Sequence, residues 1–136
     1  MSHPIADIAG IEQEMVATLK SHGIRTTAKL LEAAKNPKGR KALSEKTGID
    51  EKRLLCWANM ADRMRIKGVG EEYANLLQAA GVDTVKELAN RNSDNLYEAV
   101  QKFDLTISPI VRRKPGKASV VAWIKQAKRL KPTLTY

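Results

Sequence analysis

A chain that carries the same pattern twice must fold so that both copies bury the same positions, and that is the tightest constraint in this sequence. Shifted by 58 residues against itself, it aligns Ile8 with Ile66, Gly10 with Gly68, Glu14 with Glu72, Leu19 with Leu77, Gly23 with Gly81, Thr26 with Thr84 and Leu30 with Leu88. Ile11/Val69 and Ile24/Val82 are apolar in both copies. The shared pattern reads turn, helix of about ten residues, glycine stop, threonine start, second helix. Gly23 and Gly81 stand where a helix closes through a left-handed residue, a conformation glycine accepts because it has no Cβ. Thr26 and Thr84 stand where a side-chain oxygen caps the next helix. Thr84 has Glu87 three residues on and fits a capping box, whereas Lys29 takes that place in the first copy.

At a longer offset of 66 residues, Leu54-Leu55-Cys56-Trp57-Ala58 and Ala61 match Val120-Val121-Ala122-Trp123-Ile124 and Ala127. Leu54, Trp57, Ala58, Ala61 and Met64 share one helical face, as do Val120, Trp123, Ile124, Ala127 and Leu130. That period makes the two tryptophans core anchors of equivalent helices rather than platforms for nucleobases. Cys56 and Met60 lie off the stripe and are expected to pack against the other half or to form an apolar patch. Short helices are also expected over 36–46 and 92–102. β-branched alternation is nearly absent, so the chain reads as all-α. Two tandem repeats of about four helices each are expected, 1–65 and 66–136. A helix starting near Asp50 enters the Ile66-Lys67-Gly68-Val69-Gly70 turn directly, and a second helix follows from Glu71. With no Gly/Ser/Pro spacer the halves should form one rigid, pseudo-symmetric unit.

Charge is concentrated at one end. The net +9 comes from a body, residues 1–104, with 16 basic and 15 acidic side chains. A final quarter follows that holds Arg112, Arg113, Lys114, Lys117, Lys125, Lys128, Arg129 and Lys131 and no acid. Such asymmetry points to a polyanionic partner. The apolar runs fall far short of a membrane span. The start shows no basic segment followed by an apolar run, so no secretory signal is evident and a cytoplasmic setting is expected. The one cysteine, Cys56, excludes an intramolecular disulfide and multi-cysteine metal sites. His3 and His22 are the only histidines. No metal-ligand cluster, phosphate loop, nucleophile–base pair or cofactor motif occurs, so no enzyme, cofactor or small-molecule substrate is expected.

The residues also resemble a known family. Met64 to Ala74, Gly81 to Ala89, Val111 to Pro115 and Trp123 to Lys128, with Asn36 to Arg40 and Leu54 to Ala61 as first-half counterparts, are similar to a bacterial domain-of-unknown-function family of tandem helix-hairpin-helix-like repeats. The resemblance runs from Ile5 to about Leu130 and implies kinship with helix-hairpin-helix modules, which commonly offer turn amides to DNA phosphates without sequence preference.

Two departures bear on that implication. The first turn reads Gly10-Ile11-Glu12, an acid replacing its second glycine, which makes it a structural hairpin. The second keeps both glycines, but Glu71 and Glu72 follow at once and compete with phosphate for the same amides. The expected interface is therefore Arg65, Lys67, Gly68, Val69 and Gly70 at the second hairpin together with Arg112, Arg113, Lys114, Lys117, Lys125, Lys128 and Arg129. Apart from the tryptophans, read as core anchors, no aromatic residue is interleaved with the basic run, so duplex DNA is favoured over single strands. A protein-interaction or scaffolding module is the competing expectation.

Overall fold

Where the sequence supplies a capping side chain, the structure starts a helix. The computed structural model describes residues 2–8, 10–103 and 113–136. After a 3₁₀ turn at Ile5–Asp7 come α1 (Gln13–Ser21), α2 (Thr27–Ala34), α3 (Pro37–Thr47), α4 (Glu51–Arg63), α5 (Glu71–Ala79), α6 (Val85–Ala89), α7 (Ser93–Gln101) and α8 (Lys117–Arg129). Among the described residues there is no strand beyond one isolated bridge, Pro4 with Thr26. No described helix is long and apolar enough to cross a membrane. Thr26 accepts the Lys29 amide and Thr84 the Glu87 amide, Asn36 and Asn92 cap α3 and α7, and Asp50 caps α4. The capping box is shifted: the Glu87 carboxylate accepts from the Asp83 amide, one residue before the cap.

Both glycine stops close as Schellman motifs. Gly23 (φ +82°) donates to Lys20 O and Ile24 to Leu19 O; Gly81 (φ +91°) donates to Gln78 O and Val82 to Leu77 O. α1 and α5 are nine residues each and begin 58 apart, and α4 and α8 are thirteen each and begin 66 apart. α2 and α3 pack with α4, and α6 and α7 pack with α8. One buried apolar cluster runs from Ile5 through Trp57 and Leu77 to Ala127, so both halves share a core. Trp57 is 4% and Trp123 3% exposed, which places them in that core as their period requires. Cys56 and Met60 part company: Met60 is buried beneath Arg63, while Cys56 is exposed.

α4 belongs to both halves. In the first half the Thr27 amide donates to His3 O (2.8 Å) and the Ile5 amide to Arg25 O (3.0 Å). The groups 58 residues on are Val85 N and Asp83 O. These are served by side chains from the end of α4, with Asp62 Oδ2 accepting from Val85 N (2.8 Å) and Arg63 Nη1 donating to Asp83 O (2.9 Å). Arg63 also donates through Nε to Ala74 O at 2.9 Å. It is 2% exposed, and burial lowers its pKa from the ordinary value against the opposing pull of Asp83. Beyond α8, residues 131–136 run back over the first half, where the Thr135 amide donates to Lys35 O (2.7 Å) and Arg40 donates to Thr135 O (2.9 Å).

Asp62→Ala leaves the Val85 amide buried without an acceptor and frees Arg65. It should lower stability by about 2 kcal/mol, whereas Glu71→Ala on the exposed start of α5 stays within about 0.5 kcal/mol. Urea unfolding followed by the fluorescence of the two buried tryptophans reads both; equal midpoints for the two variants would refute this role of Asp62.

Candidate nucleic-acid interface

Each half closes its last helix against its own glycine turn, but with different chemistry. In the first half Gly10 takes φ +79° and Glu12 stands at the N-cap of α1 without a capping side-chain bond. Arg53 of α4 grips both Glu12 carboxylate oxygens (2.7 and 2.6 Å) while its guanidinium lies 5.0 Å over the Trp57 ring. The hydrogen bond from Arg53 holds the Glu12 carboxyl below its ordinary value. An internal carboxylate thus sits at the helix N-terminus where a phosphate would have to bind.

At the second turn the glycines have separate jobs. Gly68 has φ +91°, and a Cβ there would lie 3.5 Å from Trp123 Nε1. Gly70 is extended (φ −95°, ψ −160°) at the α5 N-cap, with open space around a Cβ. Val69 is buried, and its amide donates inward to Ile66 O. The Lys67 amide is taken by Gln126 of α8, whose Oε1 accepts from Lys67 N (3.0 Å) while its Nε2 donates to Lys67 O (3.2 Å). Tyr73 of α5 packs against Trp123, ring centroids 5.2 Å apart. Only the amides of Gly68 and Gly70 are without an acceptor among the described residues of this turn. Arg65 faces inward as well: its guanidinium joins Asp62 Oδ1 (2.8 Å) and Lys131 O (2.8 Å).

The basic segment divides. Arg112 lies outside the described residues; Arg113 is exposed. Lys114 is half-buried and donates from Nζ to Gln101 O at 2.6 Å, closing the end of α7. Lys117 pairs with Asp94, which raises its pKa. Lys125, Lys128 and Arg129 are exposed and have no partner among the described residues. At 3.6 residues per turn these three fall within an arc of about 100° on the side of α8 opposite Trp123 and Ala127. Ala118, Val121 and Ala122 lie between and beside them on that face. Gln126 borders Arg129 on the helix surface, so its clasp brings the main chain of exposed Lys67 to the flank of that face.

The structure therefore seats the Lys67 main chain on Gln126 of α8, leaves Lys125, Lys128 and Arg129 exposed on one face of that helix, and turns Arg65, Val69, Lys114 and Lys117 to contacts within the chain. No group of three or more metal-ligating side chains occurs among the described residues. A family model for a domain of unknown function (DUF4332) matches residues 9–130. The chain belongs to that family. No curated protein and no solved structure matches it. The match to the DUF4332 domain ends at Leu130, where α8 ends, and so includes the whole stripe. Gln126, the residue that brings hairpin and stripe together, carries no sequence signal of its own; only its place on the flank of the Trp123 face hints that it looks sideways.

Serine placed at the two glycines of this DUF4332 domain separates their jobs. Gly68→Ser forces a side chain into positive φ and should cost about 1–2 kcal/mol, while Gly70→Ser supplies a capping oxygen to α5 and gains a few tenths. Thermal melts give the comparison, and a Gly70→Ser loss as large as that of Gly68→Ser would disprove the assignment.

Proposed function

We propose that the chain is a non-catalytic module that binds the nucleic-acid backbone, duplex DNA favoured, through the outer face of α8 with Lys67 beside it. The observation that carries this reading is the segregation of the cations. Lys114 and Lys117 are hydrogen-bonded or paired within the chain, whereas Lys125, Lys128 and Arg129 stand exposed together on one helical face. Lys125 neighbours Lys128 at i+3 and Arg129 at i+4, spacings at which like charges destabilise a helix by a few tenths of a kcal/mol. A row of phosphates would relieve that repulsion. The C-terminal dipole of α8 stabilises Lys128 and Arg129 where they are, but it lends little to Lys125, a full turn earlier. Small residues on the same face let a backbone approach closely.

In this reading the chain is two tandem helix-hairpin-helix-like repeats, supported by the recurring helix lengths, threonine caps and Schellman glycines. The hairpins then serve chiefly as architecture: Glu12 fills one turn and Gln126 clasps the other. Exposed Glu71 and Glu72 beside Lys67 favour the competing reading, a protein-interaction module, because they lower the local positive potential.

Anisotropy of a short labelled duplex separates the two. Wild type should bind with log K falling against log[salt] at a slope of about −3.6, from four contacts at about −0.9 each. Changing Lys125, Lys128 and Arg129 together to Ala should remove about 2.7 of that slope, and changing Lys114 and Lys117 should leave it nearly intact. No binding at low salt, or equal losses from both sets, defeats the α8 interface.

A further inference from the structure

Residues 131–136 are held by the first half chiefly through main-chain chemistry. Thr135 donates its amide to Lys35 O at 2.7 Å and accepts from Arg40 Nη2 at 2.9 Å. Arg40 is 5% exposed and its other Nη donates to Ala34 O, so this buried fork is completed only by the carbonyl that the segment brings. Leu134 packs on the core and the Tyr136 hydroxyl donates to Asn59 Oδ1 at 3.0 Å. Clefts of about 320, 430, 370 and 270 Å³ border residues 130–136 on both sides, so the segment lies along one groove between α2, α3 and α6 rather than within the core. Leu130 leaves α8 in extended backbone (φ −83°, ψ 142°), and Pro132 follows two residues later.

We propose that this groove is an acceptor for extended polypeptide and takes the same segment in trans from a second copy of the chain. A carbonyl for Arg40, an amide for Lys35 O and a hydroxyl for Asn59 are supplied identically by the tethered segment and by that of another molecule. Six residues with a few hydrogen bonds open at far lower cost than the core, and exchange of an identical element is a low-cost route to association. The tethered copy competes at an effective concentration of the order of millimolar, so exchange in the wild type requires concentrated chain or a loosened seat.

Thr135→Pro provides the loosened seat. It removes the amide that reaches Lys35 O from an exposed position and leaves the groove and core unaltered. A labelled peptide spanning Arg129–Tyr136 should bind the full Thr135→Pro chain about tenfold more tightly than wild type, the step expected for one hydrogen bond and its neighbours. The peptide carrying the same Thr135→Pro change should bind about tenfold more weakly than the unaltered peptide. Tyr136→Ala loosens the seat from its other end and should give the same order. Wild-type chain at millimolar concentration should show a dimer by sedimentation that excess peptide dissociates. Equal binding of the two peptides, or no binding to either loosened chain while its melting curve matches wild type, overturns the groove. Peptide binding without a wild-type dimer overturns the second copy as its occupant.

Discussion

Everything in the second half hangs on two adjacent side chains at the end of α4. Asp62 and Arg63 are both 2% exposed, and between them they satisfy the amide that opens α6, the carbonyl before its threonine cap and a carbonyl of α5. A buried guanidinium is costly to desolvate, and Arg63 keeps its place because backbone oxygens and the Met60 sulfur surround its donors. The first half meets the same need with the backbone of its N-terminal arm, Pro4 bridging Thr26. One requirement, two unexposed polar groups beside a threonine cap, has two solutions because only the second half has a full helix leading into its turn.

That joint also fixes the charged surface. Arg65, one turn of chain beyond Asp62, is drawn between that carboxylate and Lys131 O, which ties the end of α8 to the end of α4. Gln126 then clasps Lys67 and seats α8 along the turn. The cations are sorted as a result. Lys114 closes the end of α7 and Lys117 meets Asp94, while Lys125, Lys128 and Arg129 of α8 are left exposed on one stripe. Electrostatic attraction of a polyanion to such a stripe is sequence-independent, in keeping with a helix face on which Ala118, Val121 and Ala122 stand among the cations.

The reading of the chain as all-α, the positions of α1, α4, α5 and α8, and the burial of both tryptophans were legible because they rest on local rules: periodicity, caps and glycine stops. Thr26, Thr84, Gly23 and Gly81 do in the structure what such residues do at helix ends generally. The proposed interface was legible only as a set of cations. Arg63, which in sequence simply adds charge ahead of the turn, is a buried strut. Lys114 and Lys117 read like Lys125 but point to Gln101 and Asp94. Arg40 reads as one more surface base beside Lys38 and Lys41, yet is buried with half its fork turned to a segment 95 residues away.

The sequence by itself determined where helices begin and end and which faces turn inward, since those follow from contacts within a turn or two of chain. Which charges stay in solvent was decided by tertiary structure alone. A lysine or arginine has the same local signature whether its head reaches water or a carbonyl, and only the packing of distant elements brings that carbonyl within reach. The fate of the second turn was settled in the same way: its glycines permit exposed amides, but a glutamine 59 residues beyond Lys67 takes the Lys67 amide.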